Sequence, residues 1–197
     1  FYRDRGVFDS IASDVFPSLV ERAGQNHQEQ IRCWSAGSAS GEEAFTLSII
    51  WKMAVLPGTG RDPYLQITAT DRDAQLIERA KKGKYPGGTL KEFPPDWKNK
   101  AFEENENQYR VKNEFRQDVR FLKQDIRSEL PEGTFDLILC RNLVFTYFQD
   151  DLQRDVLKRI KTRLSPDGYL VIGNHESLPE GQEDLVLIEK CIYRKRV

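Results

Sequence analysis

The sequence predicts an α/β protein with a mostly parallel sheet, an antiparallel edge and a small inserted β-subdomain. Three observations carry this. Short apolar runs of strand character alternate with amphipathic segments along most of the chain. The alternation stops once, over residues 84–118, where Pro86, Gly87, Gly88, Pro94 and Pro95 punctuate a polar stretch. Near the C-terminal end, apolar runs follow one another with no helix between them, which calls for antiparallel pairing. At 197 residues the chain fits one domain.

Taken in order, residues 7–23 space Phe8, Ile11, Val15, Phe16, Leu19 and Val20 as a helix face, and Pro17 is expected to divide them into two short helices. Residues 31–34 form a strand that runs into the small-residue stretch Ala36-Gly37-Ser38-Ala39-Ser40-Gly41, and residues 42–55 form the helix behind it. After a loop over 56–63, a strand at 65–70 and a helix from Asp73 to about Lys82 repeat the unit. The insertion reads as short helix plus hairpin. Strands resume at 119–123 and 135–140, the latter the most apolar, and residues 151–164 place Leu152, Val156, Leu157, Ile160 and Leu164 on one helix face. Ser165-Pro166-Asp167-Gly168 is expected to be a turn, followed by a strand at 169–173 and a hairpin over 185–193 centred on Glu189-Lys190.

Composition excludes several classes. The 30 Lys and Arg balance 31 Asp and Glu, leaving a net charge of -1, so the clustered positive charge that binds phosphate backbones is missing and no nucleic-acid partner is expected. No apolar run approaches bilayer length, so no membrane insertion is expected. Cys33, Cys140 and Cys191 are odd in number and scattered, which fits core thiols in a reducing cytoplasmic setting. His27 and His175 are the only histidines, and neither sits in a ligand pattern, so no metal site is expected.

Parallel sheets bind ligands beyond the carboxyl ends of their strands. Gly37 lies there, where a missing side chain lets a ligand approach the backbone and the next helix offers free amides, although the run lacks the G-x-G-x-x-G spacing of dinucleotide folds. Glu42 and Glu43 fall in the first turn of that helix, where the dipole favours acids; adjacent acids point different ways, so one can face the loop and bind a cationic amine. Asp71 ends the second strand, in position to accept from both hydroxyls of a ribose, while Asp73 is better placed to cap the next helix. Asp125 ends the third, where an adenine amine can be held, though a turn cap serves it equally well.

These residues also carry a resemblance. Phe1-Tyr2-Arg3-Asp4, the run from Ile31 through Trp34-Ser35-Ala36-Gly37 to Gly41-Glu42-Glu43-Ala44-Phe45, Ala69-Thr70-Asp71-Arg72-Asp73, Phe135 through Cys140-Arg141-Asn142, and Tyr147-Phe148 resemble, in this order, the CheR-type chemotaxis receptor methyltransferases. The resemblance implies a Rossmann-like class I methyltransferase sheet, S-adenosyl-L-methionine as cofactor and S-adenosyl-L-homocysteine as product. It implies that Arg3 and Glu43 contact the methionine end of the cofactor, Asp71 its ribose, and Asp125 with Ile126 its adenine. By the same resemblance Gly37 is the close-approach glycine, Cys140 and Arg141 line the cleft, and Tyr147 stands near the departing methyl, so the catalytic pair is Arg3 and Tyr147.

The chain departs from the family pattern in three places. One residue more stands between Asn142 and Tyr147-Phe148; Gly173-Asn174-His175-Glu176 replaces Gly-His-Ser-Glu; and the helical domain that precedes the Phe-Tyr-Arg-Asp segment in the family is not in this sequence. The implied reaction is O-methylation of glutamate carboxylates on a receptor-like protein acceptor. O-methylation of a small molecule, and a regulatory module that binds cofactor without turnover, are the alternatives. The hairpin loop of the insertion, short and without glycine, leads us to expect no receptor-tail tether there.

Overall fold

In the computed structural model, residues 1–60 and 63–196 are described. The strands are β1 (Gln30–Ala36), β2 (Tyr64–Asp71), β3 (Lys84–Pro86), β4 (Phe102–Asn105), β5 (Gln108–Val111), β6 (Val119–Lys123), β7 (Phe135–Leu139), β8 (Leu164–Val171), β9 (Leu185–Glu189) and β10 (Ile192–Lys195). The helices are α1 (Arg5–Ser10), α2 (Phe16–Gln25), α3 (Glu42–Ile50), α4 (Ala74–Lys82), α5 (Pro95–Ala101), α6 (Asn113–Arg116), α7 (Val144–Tyr147) and α8 (Asp150–Arg163). The anticipated loop after the α3 segment begins with a 3-10 turn, Leu56–Gly58, and its residues 61 and 62 lie outside the described residues.

Seven strands form one sheet in the order β6-β2-β1-β7-β8-β10-β9. Pairings from β6 through β8 are parallel, and β10 runs antiparallel to both β8 and β9. The reversed strand therefore sits one place in from the edge, fed by the tight β9–β10 connection at Lys190, whose φ is 44°. Strand order reverses between β1 and β7, the position at which open α/β sheets form their ligand crevice.

The core follows the apolar pattern. All five residues of β7 are buried, including Asp136. A carboxylate in a core strand persists only if its oxygens are satisfied, and Asp136 accepts from Arg32 N at 2.9 Å and Ser165 Oγ at 3.0 Å and pairs with Arg22. Burial pushes the thiols of Cys33, Cys140 and Cys191 upward, which keeps them protonated and unreactive. Among the described residues no helix is long and apolar enough to cross a membrane.

Two local expectations are corrected. Pro17 does not divide the first segment: α1 and α2 join through a π-helical turn, Ile11–Val15, in which the Phe16 N–H reaches back to Ile11 O. The extra residue in that turn realigns the backbone, so the missing Pro17 N–H falls near the start of α2, where it costs little. Nor is Ser165–Gly168 a turn that separates elements. It is an excursion inside β8: Leu164 pairs with Phe135 and Tyr169 already pairs with Leu137, with Asp167 at φ 56°.

The insertion forms a separate sheet, β3-β5-β4. Its β4–β5 hairpin turns on Glu106 and Asn107, with φ 47° and 64°, the geometry of the tightest hairpin loop. The chain start locks this sheet to the body. Phe1 meets Tyr85 and Phe102 edge-on at 4.7 and 5.2 Å, and Tyr2 meets Phe93 at 5.7 Å.

Candidate functional site

The loops at the carboxyl ends of the strands are stitched by backbone bonds. After β1 the chain turns through Gly37 at φ 70° and Gly41 at φ 88°. The Ser38 N–H donates to Thr70 O at 2.9 Å, and Gln124 N–H donates to Asp71 O at 3.0 Å, so the ends of β1, β2 and β6 move as one. The Asp71 carboxylate completes the seam, accepting from Ala39 N and Asp73 N at 2.9 Å each. Sequence reasoning left Asp71 without a structural task; here it braces two loops. Asp73 caps α4 as anticipated, accepting from Gln75 N at 2.7 Å.

Over this seam lies a cavity of about 370 Å³ that takes in Gly37, Asp71, Asp125, Ile126 and Tyr147. That volume falls in the range for small-ligand sites. Leu76 and Leu143 add apolar wall to the same cavity. Arg127 grips Asp125 through its guanidinium and backbone N–H, and these bonds hold the carboxyl down at about 2. Asp125 therefore stays anionic throughout the neutral range. Two polar atoms, Ser38 Oγ and Gln124 Oε1, are buried here without a hydrogen-bond partner among the described residues. Buried polar groups are normally satisfied, so unpaired ones beside a cavity suit a polar ligand.

The other anticipated residues gather beside the cavity, at the crevice between β1 and β7. Glu43 accepts from Ser35 Oγ at 2.7 Å and from Arg141 Nη1 at 3.1 Å. Arg141 Nη2 donates to Asp4 Oδ2 at 2.6 Å and Arg3 O at 3.3 Å, and the guanidinium lies over the Phe8 ring at 5.1 Å. The two adjacent acids do point different ways: Glu42 accepts from Ser40 Oγ in the loop before the helix, while Glu43 turns to β1 and Arg141, so its cation is supplied by the protein. Arg3 is exposed and contributes its carbonyl, and Cys140 is wholly buried; neither lines the cavity. Tyr147 stands at the rim, 74% exposed.

Several site residues escaped sequence reasoning. Asp4 sits at the α1 N-cap with φ 64° and makes no side-chain cap, because its carboxylate is committed to Arg141. Leu143 closes over Gly37, and Glu176 ties the loops after β7 and β8. Among the described residues no group of His, Cys, Asp or Glu is arranged to hold a metal.

A Cβ on Gly37 would lie 2.6 Å from Leu143 Cδ2, in a backbone conformation that side chains rarely adopt. Gly37→Ala is accordingly expected to lower unfolding free energy by about 1–3 kcal/mol in urea denaturation. An unchanged midpoint would show that the loop relaxes without cost.

An open, mostly parallel sheet whose strand order reverses beside a concave cavity at its strand ends defines a Rossmann-like domain. Residues 1–193 match the family model described as CheR methyltransferase, SAM binding domain, and the chain belongs to that family. A 104.1 kDa protein encoded in the hypE 3′ region of Rhodobacter capsulatus is 32% identical over 95% of this chain and 19% of its own length. A chemotaxis protein methyltransferase of Listeria innocua is 32% identical over 90% of this chain and 64% of its own length. The chain thus spans less than two thirds of either relative. Among solved structures, the N-methyltransferase NodS of Bradyrhizobium japonicum in complex with S-adenosyl-L-homocysteine matches with TM-score 0.41 and 15% identity, over 79% of this chain and 58% of that one.

Proposed function

We propose that the chain binds S-adenosyl-L-methionine in the cavity over Gly37 and transfers its methyl group to glutamate carboxylates of a receptor-like protein in the cytoplasm. The observation that carries this is the pair of carboxylates, Asp71 at the end of β2 and Asp125 just past β6, that line one cavity with apolar residues in a chain of this family. Asp71 has acceptor capacity beyond its two backbone bonds and would take the ribose hydroxyls. Asp125 with Ile126 would hold the adenine, and Gln124 Oε1 offers a second acceptor.

Bound there, the cofactor supplies a methyl group activated by a sulfonium. A glutamate acceptor is already ionised at neutral pH, so the protein needs to align it and exclude water more than to remove a proton. Both Nη atoms of Arg141 are occupied by Asp4 and Glu43, so the exposed side chains of Arg3 and of Arg72, the latter in the cavity lining, are the cations we assign to orienting an acceptor carboxylate.

Calorimetric titration with S-adenosyl-L-homocysteine tests the cofactor, and transfer of labelled methyl from S-adenosyl-L-methionine into lysate protein, recovered as base-labile ester, tests the acceptor. Label confined to small molecules would replace the acceptor, and binding without any transfer would make the chain a regulatory module. Tyr147→Phe is expected to lower turnover about tenfold, roughly 1.4 kcal/mol of barrier, with product affinity unchanged. A wild-type rate would remove the hydroxyl from the chemistry.

A further inference from the structure

We propose that Glu176 is a positioning residue: one carboxylate pins the loop after β7 to the loop after β8 and so fixes the cavity wall formed by Leu143, Tyr147 and Phe148. The inference rests on the reading of that cavity as the cofactor site. Glu176 ends the Gly173–Glu176 segment after β8, and the cofactor assignment leaves it without a task.

Three donors converge on it. Oε2 accepts from Asn142 N at 2.9 Å and Gly173 N at 2.6 Å, and Oε1 accepts from Thr146 Oγ1 at 2.6 Å. The Glu176 N–H donates to Gly173 O at 3.0 Å, so the residue is itself held in a closed turn. What it holds needs holding. Asn142 has φ 52° and Leu143 has φ -134° with ψ -84°, two sparsely populated conformations in succession. Such a backbone persists only where its surroundings over-determine it. The four-residue helix α7 that follows is too short to hold itself.

Packing supports the same assignment. Gly173 has an ordinary φ, yet a Cβ there would lie 2.6 Å from Asn142 Oδ1 and 2.8 Å from Glu176 Oε2. The glycine is the space through which the carboxylate reaches both loops. Thr146, the side chain next to Tyr147, is engaged by the clamp and not by the cavity.

The test compares Glu176→Ala with Glu176→Gln in the intact chain. The glutamine oxygen can accept from both backbone N–H groups while its amide donates to Thr146 Oγ1, so it keeps the bond count and loses only the charge. S-adenosyl-L-homocysteine affinity should fall about tenfold in Glu176→Ala and stay within about twofold in Glu176→Gln. Amide exchange should quicken over residues 142–148 in the alanine variant and not in β7. Equal affinities, or equal losses in both variants, would overturn the proposal. If the parent does not bind the homocysteine the cofactor reading falls, and exchange over 142–148 alone decides the clamp. Should Glu176→Ala not fold, Thr146→Val removes one bond from the exposed side and is expected to quicken exchange at 146–148; no change there would count against the clamp.

Discussion

Asp71→Ala is expected to weaken S-adenosyl-L-homocysteine binding by about 10- to 100-fold, the equivalent of roughly 1.5–3 kcal/mol for charge-assisted hydrogen bonds lost from one carboxylate. The residue stands where β2, the Gly37 loop and the start of α4 meet, and its oxygens already receive the Ala39 and Asp73 N–H groups at 2.9 Å. Alanine therefore removes a ligand contact and a brace together. Asp71→Asn separates them, since its carbonyl oxygen can keep one backbone bond while the negative charge is gone. Calorimetry on both variants, read beside their urea midpoints, distinguishes the two contributions. If Asp71→Ala folds with its midpoint near that of the parent and binds with unchanged affinity, Asp71 leaves the site and the placement of the cofactor fails with it.

The strand ends were legible because period and punctuation are local. Apolar runs bounded by Gly, Asp and Pro gave β1, β2, β6 and β7 with ends within about two residues of those observed, the usual tolerance of such boundaries. Gly37, Asp71 and Asp125 then followed from the rule that ligands sit beyond those ends. What was not legible depends on partners distant in sequence. Asp4 stands in the sequence only as the last residue of Phe1-Tyr2-Arg3-Asp4, and only the fold shows its carboxylate bound to a guanidinium 137 residues away. Pro17 reads as a breaker because the compensating π-turn is a matter of backbone count rather than residue type. Ser165-Pro166-Asp167-Gly168 carries every mark of a turn, and it does bend the chain, but the strand on its far side rejoins the same ladder. The contacts of Leu143 and Glu176 have no local signature; they arise because β1, β7 and β8 are neighbours in the sheet.

Arg141→Ala should give the largest loss of stability. The guanidinium is 5% exposed and lies between two carboxylates from distant segments, Glu43 at 19% and Asp4 at 28% exposed. It gathers the chain start, α3 and the loop after β7 around the point where strand order reverses. Breaking a buried pair by removing one partner typically costs about 3–5 kcal/mol, because the charges left behind keep their desolvation penalty. Water can reach Asp4 and Glu43 in part, which places this site near the low end, about 3 kcal/mol, or roughly 6–12 °C in Tm for a chain of this size. Arg141→Lys keeps the charge but offers no planar fork, so it cannot serve both carboxylates in the same geometry and should fall between parent and alanine. Asp4→Asn combined with Arg141→Ala removes one of the stranded charges and should recover part of the loss. Differential scanning calorimetry of the four proteins checks this order. A shift under about 2 °C in Arg141→Ala, less than the change expected from 1 kcal/mol, would mean that Arg141 does not join these segments and that the crevice holds its shape by apolar packing alone.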